Sequence, residues 1–418
     1  MFNFSFINKI KKKIFPFYKN KDLKFVFNKL HDGYPKKFKT AMFVGGCVRK
    51  YLSKEEVDDI DIATSLTIDR IKEKFKDTEF QIIDSGIKHG TVTLVKDKLK
   101  LELTTLRKDI KTDGRHAEIE FTDDWFEDSQ RRDITVNAIY LDIHGKLYDY
   151  QGGVNDLKKN IIKFIGDPNT RIQEDYLRII RFLRFAIQYD SSTDSQTIEA
   201  LKLNLVGIKK LSKERVLDEL FKMIKLENFS NIFKHKNIRF IFSLIFPELK
   251  HLERLERLQL VNNKKVFTKE FILGTLLIDE TNNYEYFCHK YKASNLIKHN
   301  LEIMTNGIRE LRADRHFFAN NLKKMIYKYG KENIKKINLL FFCSDKKIKL
   351  NNFQKNNRFI EGTKSPKFPY SGQYLINKGF SEGRKVGLIL KKLEDHWFNN
   401  NFNISEQEVR SIIEREGT

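Results

Sequence analysis

The chain has few of the residues that mark linkers and no long apolar run. Its 418 residues include only 6 Pro and 20 Gly, which excludes a collagen-like or linker-rich protein. No apolar run approaches the roughly 18 residues of a membrane-spanning helix, and Phe240 to Phe246 is typical of the longest. We therefore expect a protein without a membrane span, with about two to four globular domains.

Cysteine is also scarce. Cys47, Cys288 and Cys343 lie far apart in the chain, which fits neither a zinc finger nor a disulfide framework. Three isolated thiols are typical of a reducing compartment. We expect buried, inert cysteines and a cytoplasmic location.

The chain has fewer acidic than basic residues. The chain has 78 Lys and Arg against 56 Asp and Glu, a net charge of +22. Nucleic acid, anionic lipid and the codon bias of an AT-rich genome would each explain this excess. Residues 1–21 form a basic lead-in without the apolar core and cleavage site of a secretory signal. A membrane-surface or targeting role for this segment stays open.

The hydrophobic pattern changes along the chain. Strand-like and helix-like segments alternate up to about residue 155, and helical spacing prevails from residue 156 onward. Residues 344–369 are polar and are expected to form a linker. We expect four parts after the lead-in, over residues 22–155, 156–227, 228–350 and 351–418.

The first candidate site combines a glycine pair with two acids. Gly45 and Gly46 stand between a predicted strand and a predicted helix, where backbone N–H groups can approach a phosphate. Arg49 can add a charged contact. Asp59 and Asp61 alternate in a predicted strand and therefore point to one face. Two carboxylates on one face can hold Mg²⁺ together with substrate phosphates.

Two further segments carry polar candidates. Glu102 lies on the polar face of the predicted strand LKLELTT and is a possible third catalytic carboxylate. Arg132, Asp133 and Asn137 follow in RRDITVNA. We expect Asp133 and Asn137 to be neighbours on a helix face, where they can hold sugar hydroxyls while the arginine faces a triphosphate.

The last candidate pair is Asp175 and Arg178, three residues apart in a predicted helix that also carries Arg181. Cytosine and adenine each present an amino donor beside a ring-nitrogen acceptor. An ionised aspartate and an arginine complement that pattern. Uracil and guanine reverse it and would leave groups unpaired, at about 1–3 kcal/mol each.

The order of these motifs resembles the class II tRNA nucleotidyltransferases, which include the bacterial CCA-adding enzymes and the related poly(A) polymerases. The motifs are GGCVRK, DDIDIATS, LELTTLR, RRDITVNAI, GDPNTRIQEDYLRIIRFLRFA and SKERVLDEL, over about residues 40–225. The resemblance implies an α+β fold: a small mixed-sheet head like that of DNA polymerase beta, then an all-helical neck, body and tail. It implies addition of C, C and A to tRNA from CTP and ATP.

The resemblance also implies roles for individual residues. Asp59 and Asp61 match the metal-binding acids, and the implied cofactor is Mg²⁺. Gly45, Gly46 and Arg49 match the triphosphate-binding element, and the motif beside the sugar and phosphates of the incoming nucleotide is matched by Arg132 and Asp133. Asp175 and Arg178 match the pair that selects C and A; Glu174 orients them, and Arg181 lies beside them. Asp113 and Arg115 match the flexible loop needed for the final A.

Some positions depart from the family pattern. Lys50 stands where the family has an acid, and His116-Ala117 replaces the end of the loop motif. His31-Asp32 is an isolated pair that we interpret as structural. A poly(A) polymerase, a CC-only or A-only enzyme, and a non-catalytic RNA-binding protein stay open as alternatives.

Overall fold

A computed structural model describes residues 17–86, 90–112, 117–261, 267–314 and 316–417. The chain divides into two compact units, Met1–Pro247 and Glu248–Thr418. Each unit is considered by itself. The first holds every motif of the predicted site.

The first unit is built on a seven-stranded mixed sheet, in the order β3-β4-β5-β2-β1-β8-β9. Among its described strands, only β2 and β5 pair in parallel. The strands are β1 Ala41–Val44, β2 Ile60–Thr64, β3 Gln81–Gly86, β4 Thr91–Lys96, β5 Leu99–Thr105, β8 Ile139–Leu141 and β9 Leu147–Asp149. A separate hairpin joins β6 Arg107–Thr112 and β7 Ala117–Phe121.

One face of the sheet is covered by short helices, because the central strands carry large apolar side chains. Phe43, Ile62 and Leu103 from three neighbouring strands are fully buried and form one core with apolar residues of the first and third helices. The helices of this part are α1 Lys21–His31, α2 Gly46–Leu52, α3 Ile68–Phe75, α4 Trp125–Gln130 and α5 Gly153–Lys158. This core fixes β2 and β5 side by side, and both carry predicted site residues.

Five further α-helices follow α5 in the first unit. They are α6 Pro168–Glu174, α7 Leu177–Gln188, α8 Ser195–Leu203, α9 Lys213–Ile224 and α10 Lys236–Ile245. Ser212 caps α9, as its position before the apolar periodicity predicts: its hydroxyl accepts the N–H of Arg215. The predicted arrangement of a mixed-sheet head followed by helices is confirmed.

Two local predictions in the first unit are wrong. Asp133 and Asn137 do not lie on an α-helix, because Ile134 is extended and residues Thr135–Asn137 form a single 3-10 turn. Asp175 is not helical either, since its extended backbone separates α6 from α7. In both places the chain bends so that polar side chains reach partners outside their own segment.

In the described part of the second unit, the regular elements are all helices. Its helices are α11 Arg254–Leu258, α12 Lys269–Leu277, α13 Asn283–Tyr291, α14 Asn295–Ala313, α15 Phe317–Asn320, α16 Leu322–Tyr329, α17 Lys331–Ser344, α18 Leu350–Gly362, α19 Gly372–Ile376, α20 Arg384–Asn399 and α21 Glu406–Gly417. The expected linker at residues 344–369 is wrong, because α18 occupies its centre and buries Phe353 and Ile360.

Two expectations from composition are met in the described ranges. None of their helices is long and apolar enough to cross a membrane. Cys47, Cys288 and Cys343 are all free and buried. Burial raises the pKa of the Cys47 thiol to about 12, which keeps it protonated at neutral pH.

Candidate active site

A glycine turn lies at the centre of the site. Gly45 ends β1 with φ +71°, a left-handed conformation that glycine adopts without strain. A Cβ added to Gly45 would lie 3.6 Å from Asp61 Oδ2 and 4.0 Å from Arg132 Nη1. One added to Gly46 would lie 3.8 Å from the same carboxylate oxygen. The glycines therefore let an acid and a cation converge on the backbone of this turn.

Asp61 and Glu102 are brought together by the parallel pairing of β2 and β5, in which they are direct partners. Asp59 immediately precedes β2 rather than lying within it. Burial raises the pKa of Asp61 to about 6, and the negative charges of Glu102 and Asp59 act in the same direction. Arg132 and Arg49 oppose that shift. The acids thus form an electrostatically coupled group.

Arg132 is held in place by a residue that the sequence analysis missed. Asp128 is fully buried, and its Oδ2 accepts hydrogen bonds from Arg132 Nη2 at 2.9 Å and from the Tyr140 hydroxyl at 2.7 Å. Its other oxygen accepts from Arg131 Nε at 2.8 Å. Although burial opposes ionisation, the two arginines and the Tyr140 hydroxyl hold the pKa of Asp128 well below its usual range. Asp128 therefore remains a carboxylate that fixes Arg132 beside Gly45.

Asp133 links the sheet to the helices. Its Oδ1 accepts a hydrogen bond from Asn137 Nδ2 at 2.9 Å, so the predicted contact of this pair is present despite the missing helix. Its Oδ2 accepts from Arg181 Nε at 2.9 Å and Nη2 at 2.6 Å. Although burial opposes ionisation, Arg181 and Asn137 keep the pKa of Asp133 low. Both partners of Asp133 were predicted site residues.

Arg49 reaches across the same junction. Its side chain is buried, its Nε donates to the Tyr189 hydroxyl at 2.9 Å, and its Nη1 donates to Asn137 Oδ1. The guanidinium carbon lies 4.7 Å from the centre of the Phe185 ring, a cation–π distance. Arg49 therefore connects α2 to α7 and, through Asn137, to Asp133.

The predicted base-reading residues are both present at this junction but not as an intrahelical pair. Arg178 Nη1 donates to Glu174 Oε2 and, at 2.8 Å, to the carbonyl of Arg171. The expected contact between Glu174 and Arg178 is thus seen. Asp175 instead accepts a hydrogen bond from Arg215 Nη2 at 2.7 Å. Each side chain is oriented by its own partner.

Other anchoring residues also escaped the sequence analysis. Arg171 Nη2 donates to the carbonyls of Arg131 at 2.6 Å and Arg132 at 2.7 Å. Glu219 on α9 is buried and accepts from Arg184 Nε at 2.9 Å. The sequence offers one local signal for these anchors, the i, i+3 and i, i+4 spacing of Asp128 to Arg131 and Arg132. The contacts of Arg171 and Glu219 with these partners join segments that are distant in the sequence.

Three features stand out against the family pattern: Lys50, the loop residues and His31. Lys50 forms an ion pair with Asp58, whose Oδ1 also accepts the backbone N–H of Asp59 at 3.0 Å. Lys50 therefore helps to fix the segment that leads into the acids. The predicted loop residues Asp113 and Arg115, with His116, lie outside the described residues. His31 Nδ1 lies 3.4 Å from the Thr40 hydroxyl, a contact within the sheet unit that fits a structural role.

Comparison with known proteins identifies this arrangement. Residues 41–163 match the Poly A polymerase head domain. The chain is 30% identical to human CCA tRNA nucleotidyltransferase 1, mitochondrial, over 89% of its own length and 86% of the human protein. It is 34% identical to the CCA-adding enzyme of Staphylococcus haemolyticus over 70% of its length and 71% of that enzyme.

Solved structures agree at the level of the fold. The Bacillus stearothermophilus CCA-adding enzyme in complex with CTP matches with a TM-score of 0.68 and 23% identity, over 94% of this chain and 96% of that one. The Thermotoga maritima CCA-adding enzyme complexed with tRNA matches with a TM-score of 0.61 and 20% identity, over 98% and 97%. From the sequence matches and this shared fold together, the chain belongs to the CCA tRNA nucleotidyltransferase family.

Proposed function

We propose that the protein adds C, C and A to the 3′ end of tRNA, using CTP and ATP and releasing pyrophosphate. The observation that carries this proposal is the convergence of Asp61 and Arg132 on the Gly45 turn. A carboxylate that can hold a cation and a guanidinium that can hold phosphates meet there beside the glycine backbone. The tRNA 3′-hydroxyl would attack the α-phosphate in line, and no covalent enzyme intermediate is needed.

The acids fit a divalent cation, which we propose is Mg²⁺. Burial and the acidic neighbours raise the pKa of Asp61. A bound cation would favour the ionised form of this carboxylate. Among the described residues, no group of three or more His, Cys, Asp or Glu side chains is assembled to hold a metal alone. Asp59 and Asp61 would therefore share the ion with substrate phosphates, which suits Mg²⁺. When bound, Mg²⁺ activates the attacking hydroxyl and stabilises the leaving oxygen.

The chain's own residues would position the triphosphate and sugar. Arg132, held by Asp128 through Nε and Nη2, presents Nη1 toward the glycine turn. Backbone N–H groups at Gly45 and Gly46 add neutral donors. Asp133 and Asn137 would hold the sugar hydroxyls, and hydrogen bonds from Arg181 and Arg49 orient these two side chains.

Base selection would rest on Asp175 and Arg178. The hydrogen bonds of Arg178 to Glu174 and Arg171 use Nη1, which leaves Nη2 and Nε as donors for a ring nitrogen. Asp175 accepts hydrogen bonds from Arg215 on Oδ2 and from the backbone N–H of Leu177 on Oδ1, and each oxygen keeps a further lone pair for an amino group. This pair favours cytosine and adenine over uracil and guanine.

The remaining regions and the location follow from the same proposal. We assign nucleotide transfer to residues 22–155, base recognition to 156–227, tRNA binding to 228–350 and a supporting tail to 351–418. Basic residues of the helical second unit suit the phosphates of folded RNA. Free, buried cysteines favour a cytoplasmic location.

The test is incubation of purified protein with tRNA lacking its 3′ CCA, with products resolved to one nucleotide. CTP alone should add two residues, CTP with ATP should add three, and extension should then stop. A long tail from ATP alone would instead identify a poly(A) polymerase. Arrest at two residues with both nucleotides would identify a CC-adding enzyme, and no extension would leave only an RNA-binding role.

A further inference from the structure

A second cluster of arginines lies in the helical second unit, which carries none of the predicted nucleotide-site residues. It lines a cavity of about 280 Å³ between the start of α11, the end of α14 and the segment after α17. Arg254 and Arg257 form part of the wall, with Arg312, Lys346 and His251 nearby. Nothing in the proposed transfer reaction uses this cavity.

Arg254 is buried, with only 8% of its surface exposed, yet its hydrogen-bond acceptors are neutral carbonyl groups. Its Nη1 donates to the carbonyls of Thr275 at 3.0 Å and Ile278 at 2.7 Å. Within the described ranges, no carboxylate lies within ion-pair distance of Arg254 or Arg257. A buried guanidinium without an anion is costly unless something else neutralises it.

Arg257 also has only neutral hydrogen-bond acceptors. Its guanidinium stacks 4.0 Å from the centre of the Phe342 ring, and its Nη1 and Nη2 donate to the carbonyls of Lys346 and Ile348. Its Nε is buried without a hydrogen-bond partner in the described structure, and the same is true of His251 Nε2. Two unpartnered polar atoms therefore belong to residues that line one cavity.

Three acidic residues also line the cavity, and each has another partner or is exposed. Glu280 pairs with Arg312 of the same cavity, and Asp279 accepts both the N–H and the hydroxyl of Thr281. Glu253 is half exposed, and one of its carboxylate oxygens lies 3.6 Å from His251 Nδ1. The positive charge of Arg254 and Arg257 is left without a direct counterion. Burial and the repulsion from Arg312 lower the pKa of Arg254 to about 10, although Glu253 partly offsets them.

We infer that this cavity, walled by Arg254, Arg257 and Lys346, is a binding site for a phosphate group. Guanidinium forks match phosphate oxygens in geometry and charge, which favours phosphate over a monovalent halide. The group can come from an RNA backbone or from free phosphate or pyrophosphate. Only the first source rests on the proposed tRNA function.

The first arm of the test uses inorganic phosphate and pyrophosphate as probes, without divalent metal. Thermal unfolding and calorimetry compare the full-length chain with its Arg254→Gln and Lys346→Gln variants. Lys347→Gln is the matched control, since Lys347 is exposed, adjacent and not part of the cavity wall. The phosphate-dependent rise in melting temperature should vanish in R254Q and weaken in K346Q, while K347Q behaves like the wild type. Lys346 is exposed, so K346Q keeps the test valid if R254Q folds poorly.

The second arm distinguishes the source of the phosphate. Binding of tRNA lacking its 3′ end is measured across salt concentrations without nucleotides, so the result does not depend on catalysis. If the group is an RNA phosphate, K346Q and R254Q weaken binding about tenfold, and the slope of log K against log salt falls by about one. If the variants lose phosphate binding but the salt dependence of tRNA binding is unchanged, the natural ligand of the cavity is free phosphate or pyrophosphate. The proposal is overturned if both variants match K347Q in both arms.

Discussion

Arg181 on α7 donates two hydrogen bonds to one oxygen of Asp133, with Nε at 2.9 Å and Nη2 at 2.6 Å from Oδ2. The two residues lie 48 positions apart, and their pairing joins the sheet to the helices that follow it. Asn137 and Arg49 extend the same network. One hydrogen-bonded network therefore joins Asp133, Asn137 and Arg49 to α7.

Breaking this contact should destabilise the first unit. Asp133→Asn removes the acceptor charge and leaves Arg181 mostly buried, so we expect a loss of about 2–3 kcal/mol in the free energy of unfolding. Urea unfolding of D133N, R181Q and the double variant gives the coupling energy, expected above about 1 kcal/mol. Additive losses in the double variant would show that the two residues do not interact.

Base choice should depend on the separate anchors of Asp175 and Arg178. Asp175→Asn replaces an acceptor with a donor, so incorporation of C relative to U should fall about tenfold or more. Arg215→Gln should produce a smaller change in the same direction, because Arg215 orients Asp175. The measurement is the incorporation rate with each of the four nucleotides. Asp218→Asn serves as the control, because Asp218 is exposed and lies on the same helix as Arg215. Unaltered C/U discrimination in D175N would rule out base reading by Asp175.

The loop residues should matter for A more than for C. Replacing Asp113 and Arg115 with Ala should slow addition of the terminal A at least about tenfold more than addition of C, as the family resemblance implies. Lys98→Ala, in the exposed turn between β4 and β5, serves as the control. Single-turnover rates for each step decide the matter, and equal losses for the two nucleotides would contradict a specific role.

The buried Asp128 predicts a pH dependence of stability. Its pKa is depressed in the folded protein, so the folded state binds fewer protons, and the stabilisation is present at neutral pH. It should be lost as the pH falls below about 4, the usual pKa of an unfolded aspartate. Asp128→Asn should therefore cost about 3 kcal/mol at pH 7 and less at pH 3. Urea unfolding at pH 7 and pH 3 measures the free energy of unfolding of the wild type and of D128N, with Asp69→Asn as an exposed control. The same loss at both pH values would contradict the prediction.

The sequence predicted the elements of the site better than the contacts between them. Alternation in LKLELTT identified the strand that carries Glu102, and the glycine pair identified the turn at Gly45. Both signals are local. The parallel pairing that places Glu102 beside Asp61 is set by the order of strands in the sheet, which no local pattern contains.

Helical spacing was misleading at Asp133 and Asp175. In both places the residues have helical separation, but long-range partners hold them in other conformations. Arg181 holds Asp133, and Arg215 holds Asp175. Asp128 was overlooked because a buried acid looks like a surface acid until its partners are seen.

The most direct test of the account is the rate of nucleotide addition by the Asp61→Asn variant. This substitution keeps the size of the side chain but removes the charge that we propose holds the cation. We predict that incorporation of both C and A falls at least about a hundredfold, while the affinity for tRNA stays within about twofold of the wild type. Asp69→Asn should leave both unchanged. A D61N protein that adds either nucleotide at the wild-type rate would contradict the assignment of this site.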